Sequence, residues 1–133
     1  MFEGVEFMNF ILSHLYIFLS IFFAVASQLI IKWKMSAFDL SSYTGLFEKF
    51  AFVFLMLFNP WIMLSIFLTL LSGLSWMIAM TKFDISYAYP YTALGFVLIL
   101  IFSALLFHEP LNGAKILGVL LIVSGIFVVA KGS

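Results

Sequence analysis

The sequence predicts an all-α membrane protein: four transmembrane helices, with a short interfacial or re-entrant helix between the first and the second. Composition is the first reason. Hydrophobic residues make up 65% of the chain and charged residues 9%, with 18 Phe and a mean hydropathy of +1.25, whereas a soluble domain is charged at about a quarter of its positions. Length is the second: four apolar stretches each approach the roughly 20 residues needed to cross a hydrocarbon core of about 30 Å. Punctuation is the third. Asn59-Pro60, Pro90 and Asn112-Gly113 separate or interrupt the stretches with residues that start, kink or stop helices.

The same numbers exclude several functions. Net charge is zero, Arg is absent and no basic run occurs, so the sequence predicts neither a nucleic-acid partner nor electrostatic adsorption to a surface. Cysteine is absent, which removes disulfides and thiolate metal sites. No nucleophile and base pair, metal-ligand cluster or phosphate-cradling glycine loop is found, so no enzymatic chemistry, cofactor or metal is expected.

The chain reads as one domain, 1–133, with spans at about 10–33, 60–81, 86–107 and 113–130. Helix 1 runs for about 22 residues without a formal charge before it meets Lys32, enough at about 1.5 Å per residue to cross the bilayer core. Steps of four back from that lysine give Gln28, Ala24 and Ser20, so small and polar side chains share one face. A polar stripe ending in a cation suits a cavity that holds an anion better than it suits lipid. The segment Ala24-Val25-Ala26 has the look of a secretory cleavage site, but Glu3 and Glu6 stand where a leader carries basic charge, and cleavage is not expected.

Residues 35–45 are polar and turn-rich and read as a surface loop. The stretch 46–58 is apolar but too short to span, so it is expected to lie at the interface or re-enter, with Glu48 and Lys49 toward headgroups. Asn59 and Pro60 form an N-cap and first-turn pair for helix 2, whose Ser65, Thr69, Ser72, Gly73 and Trp76 make a small and polar face suited to close packing. Helix 3 opens on Ser86-Tyr87-Ala88-Tyr89-Pro90-Tyr91, where Pro90 predicts a kink or a late start; Asp84 and Ser86 are candidate caps. Helix 4 carries Gly118 and Gly125, seven apart and therefore on one face, where a second helix can approach. Lys32, Lys34, Lys49 and Lys115 fall on the side opposite the termini, against Lys82 and Lys131. The bias is slight and leaves both insertions open.

An ordered set of motifs carries a resemblance. Gln28-Leu29-Ile30-Ile31-Lys32 closes helix 1, Asn59-Pro60-Trp61 opens helix 2, Ile85-Ser86-Tyr87-Ala88-Tyr89-Pro90 opens helix 3, His108-Glu109-Pro110 closes it, and Gly118 through Gly125 mark helix 4. From Ser20 onward this resembles the drug/metabolite transporter superfamily, in its EamA-like and small-multidrug-resistance-like branch. Within it the pattern is most similar to the four-helix subunits of undecaprenyl-phosphate-aminoarabinose flippases. One departure discriminates. Small multidrug exporters keep a membrane-embedded glutamate about two turns before the helix-1 lysine, and here that position is Ala24. With no carboxylate inside a predicted span, a lipophilic cation has no counter-charge at depth, and a substrate bearing its own anion is the better partner for Lys32.

The resemblance implies a flippase for a polyprenyl (undecaprenyl) phosphate-linked sugar or similar anionic amphiphile in the cell inner membrane. Lys32 is then the phosphate partner, with Gln28, Ser27, Tyr87, Tyr89 and Tyr91 as hydrogen-bonding candidates and Glu109 as a partner for an amino group or a lysine. Each has an ordinary alternative. Lys32 and Lys34 also fit as snorkelling anchors, the role assigned to Lys34. The tyrosines, Trp33 and Trp61 fit an aromatic belt, and Glu109 fits a solvated loop charge. His14 and His108 are expected far apart along the membrane normal. Because four helices enclose little volume, a homodimer or a heterodimer with a related small subunit is expected, with Gly118 and Gly125 at the contact. Two other functions stay open: a proton-coupled small multidrug or metabolite exporter, and an accessory subunit of a membrane glycosyltransferase.

Overall fold

The computed structural model describes residues 2–132. Its helices are α1 (Phe2–Met35), α2 (Leu46–Met56), α3 (Pro60–Met80), α4 (Ile85–Ala88), α5 (Ala93–Leu106) and α6 (Gly113–Lys131), with 3-10 turns at Leu40–Ser42 and Tyr89–Thr92. Among the described residues, four segments are long and apolar enough to cross a membrane: Gly4–Met35, Pro60–Met80, Ile85–Leu106 and Gly113–Lys131. The chain is a multi-pass membrane protein, all-helical among the described residues, and α2 is the shorter fifth element between the first two spans. At 11 residues it reaches only about 16 Å and cannot cross.

Helix starts follow local chemistry. Asn59 caps α3 by accepting a hydrogen bond from the Trp61 N–H at 2.9 Å, with Pro60 at the first turn, where its missing N–H is no loss. Asn112 caps α6 in the same way, accepting from the Lys115 N–H at 2.9 Å. Asp84 occupies the cap position of α4 but makes no side-chain cap bond. Pro90 breaks the third span as its ring requires, and the break takes the form of a 3-10 turn over Tyr89–Thr92. The largest departure from the expected boundaries is α1, which begins at Phe2. No proline interrupts residues 2–10, and an acidic residue such as Glu6 near a helix N-terminus favours the macrodipole. The resulting 34-residue helix is about 51 Å long.

α1 and α3 run antiparallel and share the most extensive contact of the fold. Ser20 meets Ser72, and Ser27 meets Ser65 and Thr69. Lipid tails are as apolar as leucine, so two helices gain little by hiding leucines from them. Small hydroxylated residues instead let backbones approach and exchange hydrogen bonds. Ser72 Oγ donates to the Ser20 carbonyl at 2.7 Å, and Ser27 Oγ donates to the Ser65 carbonyl at 2.8 Å. Ile17, Ile21, Val25, Ala79 and Ala88 form the buried cluster alongside, with Trp76, Tyr91, Leu94 and Leu98 packed against it. α5 runs parallel to α1, with Gly95 lying over Ile21 and Val25. α6 stands on the outer side of α5, and among its described residues only Ile126 is buried. Phe22, Leu70, Met77, Leu105, Leu121 and Phe127 are all largely exposed, an apolar surface that needs an acyl-chain solvent.

Candidate functional site

The α1–α3 pairing leaves a groove on its α5 side. A cleft of about 530 Å³ is walled by Ser20, Ala24 and Gln28 of α1, Thr69, Ser72 and Trp76 of α3, and Gly95 and Ile99 of α5, among others. It is a groove open along one side. Gln28 and Ile99 also line a second hollow of about 310 Å³, completed by Leu29, Lys32, Ser103 and Glu109. The two share walls, so the polar stripe of helix 1 runs along the groove and ends at the lysine.

Three elements place the groups at this end. Helical register on α1 brings Gln28 and Lys32 to one face. Ser103 sits one turn before the end of α5. Glu109 is delivered by a tight reversal: Phe107 ends α5, His108 adopts a left-handed φ of 54°, and the Glu109 N–H returns to the Ser103 carbonyl at 3.3 Å. Histidine enters that backbone region more readily than most side chains, and a proline at 110 disfavours a helical backbone at Glu109. Lys115 Nζ donates to the Pro110 carbonyl at 2.9 Å and fixes the far side of the loop. The Glu109 carboxylate consequently lies 3.8 Å from Lys32 Nζ.

That ion pair is weak. Its side chains are 55% and 41% exposed, and exposed pairs contribute about 0.2–1 kcal/mol. Two neighbouring groups have unused capacity. Gln28 makes no hydrogen bond among the described residues, and Ser103, only 8% exposed, donates its hydroxyl to no described acceptor while lining the same hollow. The mouth therefore presents one cation, one carboxylate, one carboxamide and one hydroxyl, with apolar walls leading away from them. Such a set can hold a phosphate through Lys32, Gln28 and Ser103, and a cationic substituent through Glu109.

The other residues singled out by sequence lie elsewhere. Ser27 is 1% exposed, and its hydroxyl is taken by Ser65 and Thr69 across the helix seam. It does not reach the groove. Tyr87 and Tyr91 gather around His14, near the opposite end of α1, about 27 Å along the helix from Lys32 at 1.5 Å per residue. Tyr89 is exposed, its ring 6.1 Å from that of Trp76. Lys34 Nζ rests 4.2 Å from the Trp33 ring, which stands edge-on to Trp61 at 5.2 Å, a cation–π contact. At Gly118 and Gly125 an added Cβ meets nothing within 4 Å among the described residues. A further hollow of about 630 Å³ runs along α2, lined by Phe47, Phe50, Phe54 and their apolar neighbours, and offers no group for polar recognition.

Sequence reasoning missed Ser103 and read the polar face of α3 as a packing surface alone. Ser103 is the one hydroxyl in the α5 run ALGFVLILIFSALL, a detectable signal in so apolar a segment. The polar face of α3 serves both surfaces, with Ser65, Thr69 and Ser72 bonded across the seam and Thr69, Ser72, Gly73 and Trp76 lining the groove. Comparison with protein-family models, curated proteins and solved structures returned no match to this chain.

Proposed function

We propose that the chain is a transporter subunit of the drug/metabolite transporter type, a flippase that carries a polyprenyl (undecaprenyl) phosphate-linked sugar or a similar anionic amphiphile across the cell inner membrane. The observation that supports this most directly is the unused hydrogen-bonding capacity of Gln28 and Ser103 beside Lys32, at the end of an open groove. A lipid-linked phosphate has an apolar tail that can stay in the acyl phase while its head moves, and exposing that head to hydrocarbon costs several kcal/mol. Along the groove Ser20, Gln28, Thr69 and Ser72 stand among mostly apolar walls. Lys32 takes the phosphate, its exposed pair with Glu109 giving way at small cost, and the released Glu109 carboxylate accepts an amino group on the sugar. The resemblance in the helix-1 and His108-Glu109-Pro110 motifs supports the same assignment.

A single chain leaves this groove open along one side. A homodimer or a heterodimer with a related small subunit completes it, with the open face of α6 at Gly118 and Gly125 as the contact, because nothing among the described residues covers it.

The test is movement of a labelled polyprenyl-phosphate sugar in vesicles containing the protein. A charge-assisted hydrogen bond contributes about 1.5–3 kcal/mol, so Lys32→Met is expected to slow transport roughly 10- to 150-fold, and Ser103→Ala less. Equal rates for Lys32→Met and the parent protein would remove the phosphate assignment, and export of a lipophilic cation instead of the lipid would overturn the substrate class.

A further inference from the structure

The end of α1 remote from Lys32 carries a second polar assembly that the transport path does not use. His14 Nδ1 lies 2.8 Å from the Phe10 carbonyl, His14 Nε2 lies 2.9 Å from the Tyr87 hydroxyl, and the Tyr87 and Tyr91 hydroxyls are 3.1 Å apart. The imidazole is half-buried, with the rings of Phe10 and Phe83 at 4.1 and 4.7 Å.

The proton positions follow from the partners. A carbonyl oxygen only accepts, so Nδ1 carries the hydrogen, and in a neutral ring Nε2 is then an acceptor. Tyr87 must donate to Nε2. Its single proton is thereby committed, so Tyr91 must donate to Tyr87. Both tyrosine O–H groups therefore point toward His14.

We propose that His14 is a proton-binding site and that one proton, taken from water at this end of the membrane, reverses both hydrogen bonds of Tyr87. With Nε2 protonated the ring donates at both nitrogens. Tyr87 Oη becomes the acceptor for Nε2–H and turns its own proton to Tyr91 Oη. The Tyr91 hydroxyl, previously the donor in that contact, is released to donate elsewhere. No covalent bond changes apart from the N–H formed with the incoming proton. The charged state therefore offers an O–H at Tyr91 that the neutral state withholds, and a ligand or backbone acceptor that takes it is linked to proton uptake.

The surroundings permit the charge. Phe10 and Phe83 stand at distances where an aromatic ring attracts a cation. The titratable groups facing it are Tyr87 and Tyr91. On the elements packed against it the charged residues are Lys82 and Asp84, both exposed and flanking Phe83, and Glu6 lies two turns earlier on α1 itself. None of the three is hydrogen-bonded or ion-paired to the ring among the described residues.

The chain has two histidines, which makes the test direct. The full chain labelled with 15N-histidine and 13Cζ-tyrosine is placed in lipid bilayers, and His108→Asn, a residue that keeps a left-handed backbone, identifies the second imidazole. At pH 8 the His14 signal is expected as the Nδ1–H tautomer, and at pH 5 as the doubly protonated ring. The Cζ signals of Tyr87 and Tyr91 are expected to shift with the same midpoint, and His14→Gln to abolish that shift. An Nε2–H tautomer at pH 8, a ring still neutral at pH 5, or tyrosine signals that stay fixed through the imidazole transition would each overturn the proposal. The wild-type spectrum decides these points even if a variant fails to fold.

Discussion

Replacing Ser27 tests the hydroxyl seam between α1 and α3. Ser27 is 1% exposed and belongs to a triangle. Its Oγ lies 2.8 Å from the Ser65 carbonyl, Thr69 Oγ1 lies 2.9 Å from the same carbonyl, and the two hydroxyls are 2.6 Å apart. Two hydroxyl protons serve three contacts, so one contact always lacks a proton. Ser27→Ala removes two sides of the triangle yet leaves Thr69 to donate to the Ser65 carbonyl, and no buried group is orphaned. A side-chain hydrogen bond between membrane helices averages about 0.6 kcal/mol with a maximum near 1.7, and the absence of an orphan places Ser27→Ala at about 0.5–1 kcal/mol. Ser27→Leu loses the same bond and adds overpacking of about 1–3 kcal/mol, for a total of about 1.5–4 kcal/mol. Equilibrium unfolding in mixed micelles, by titrating a denaturing detergent against a folding one, measures both. A loss above about 2 kcal/mol for Ser27→Ala would refute the shared-proton argument. A leucine variant as stable as wild type would refute the close approach of the two helices.

Three other perturbations probe separate parts of the fold. His108→Val forces a β-branched side chain into a left-handed backbone, so a loss of about 1–2 kcal/mol is expected together with separation of Glu109 from Lys32, while His108→Gly should keep the turn; thermal unfolding and a Lys32–Glu109 crosslink report on the two effects. At Gly118 and Gly125 an added side chain meets open space within the chain, so leucine at both positions should leave subunit stability within about 0.5 kcal/mol and lower membrane crosslinking between subunits; unchanged crosslinking would remove α6 from the interface. The Ser41 hydroxyl and backbone N–H hold the Asp39 carboxyl below its usual range, the N–H at 2.9 Å. A depressed carboxyl stabilises its turn above the unfolded value of about 3.9 and loses that contribution as pH falls through the folded value. A 13C titration should therefore give Asp39 a midpoint below about 3.9, rising in Ser41→Ala; a midpoint at or above that value contradicts it.

Much of the architecture was legible because a bilayer imposes a one-dimensional rule. Backbone polar groups must be satisfied within each segment, so length, apolarity and helix-breaking residues suffice to place the spans, and Asn59-Pro60 and Asn112-Gly113 mark two helix starts in sequence and in space. The start of α1 was less legible, since Gly4 and the two glutamates look like an ending on hydropathy alone while nothing in them stops a helix. Periodicity put Gln28 and Lys32 on one face correctly. It also turns Ser27 about 100° away from Gln28, but only the position of α3 says that this second face is the covered one.

The sequence by itself determined that this chain lies in a membrane as four spans with a short fifth helix, because hydropathy and length act locally along the chain. Only the tertiary structure decided which polar residues meet. It brought Glu109 and Ser103 to Lys32 through a left-handed turn at His108, closed Ser27 into a helix seam, and sent Tyr87 and Tyr91 to His14 at the other end. Those partnerships depend on helix direction and register between segments far apart in sequence. In a medium that gives leucine no preferred side, a few hydroxyls and close backbone contacts fix that register.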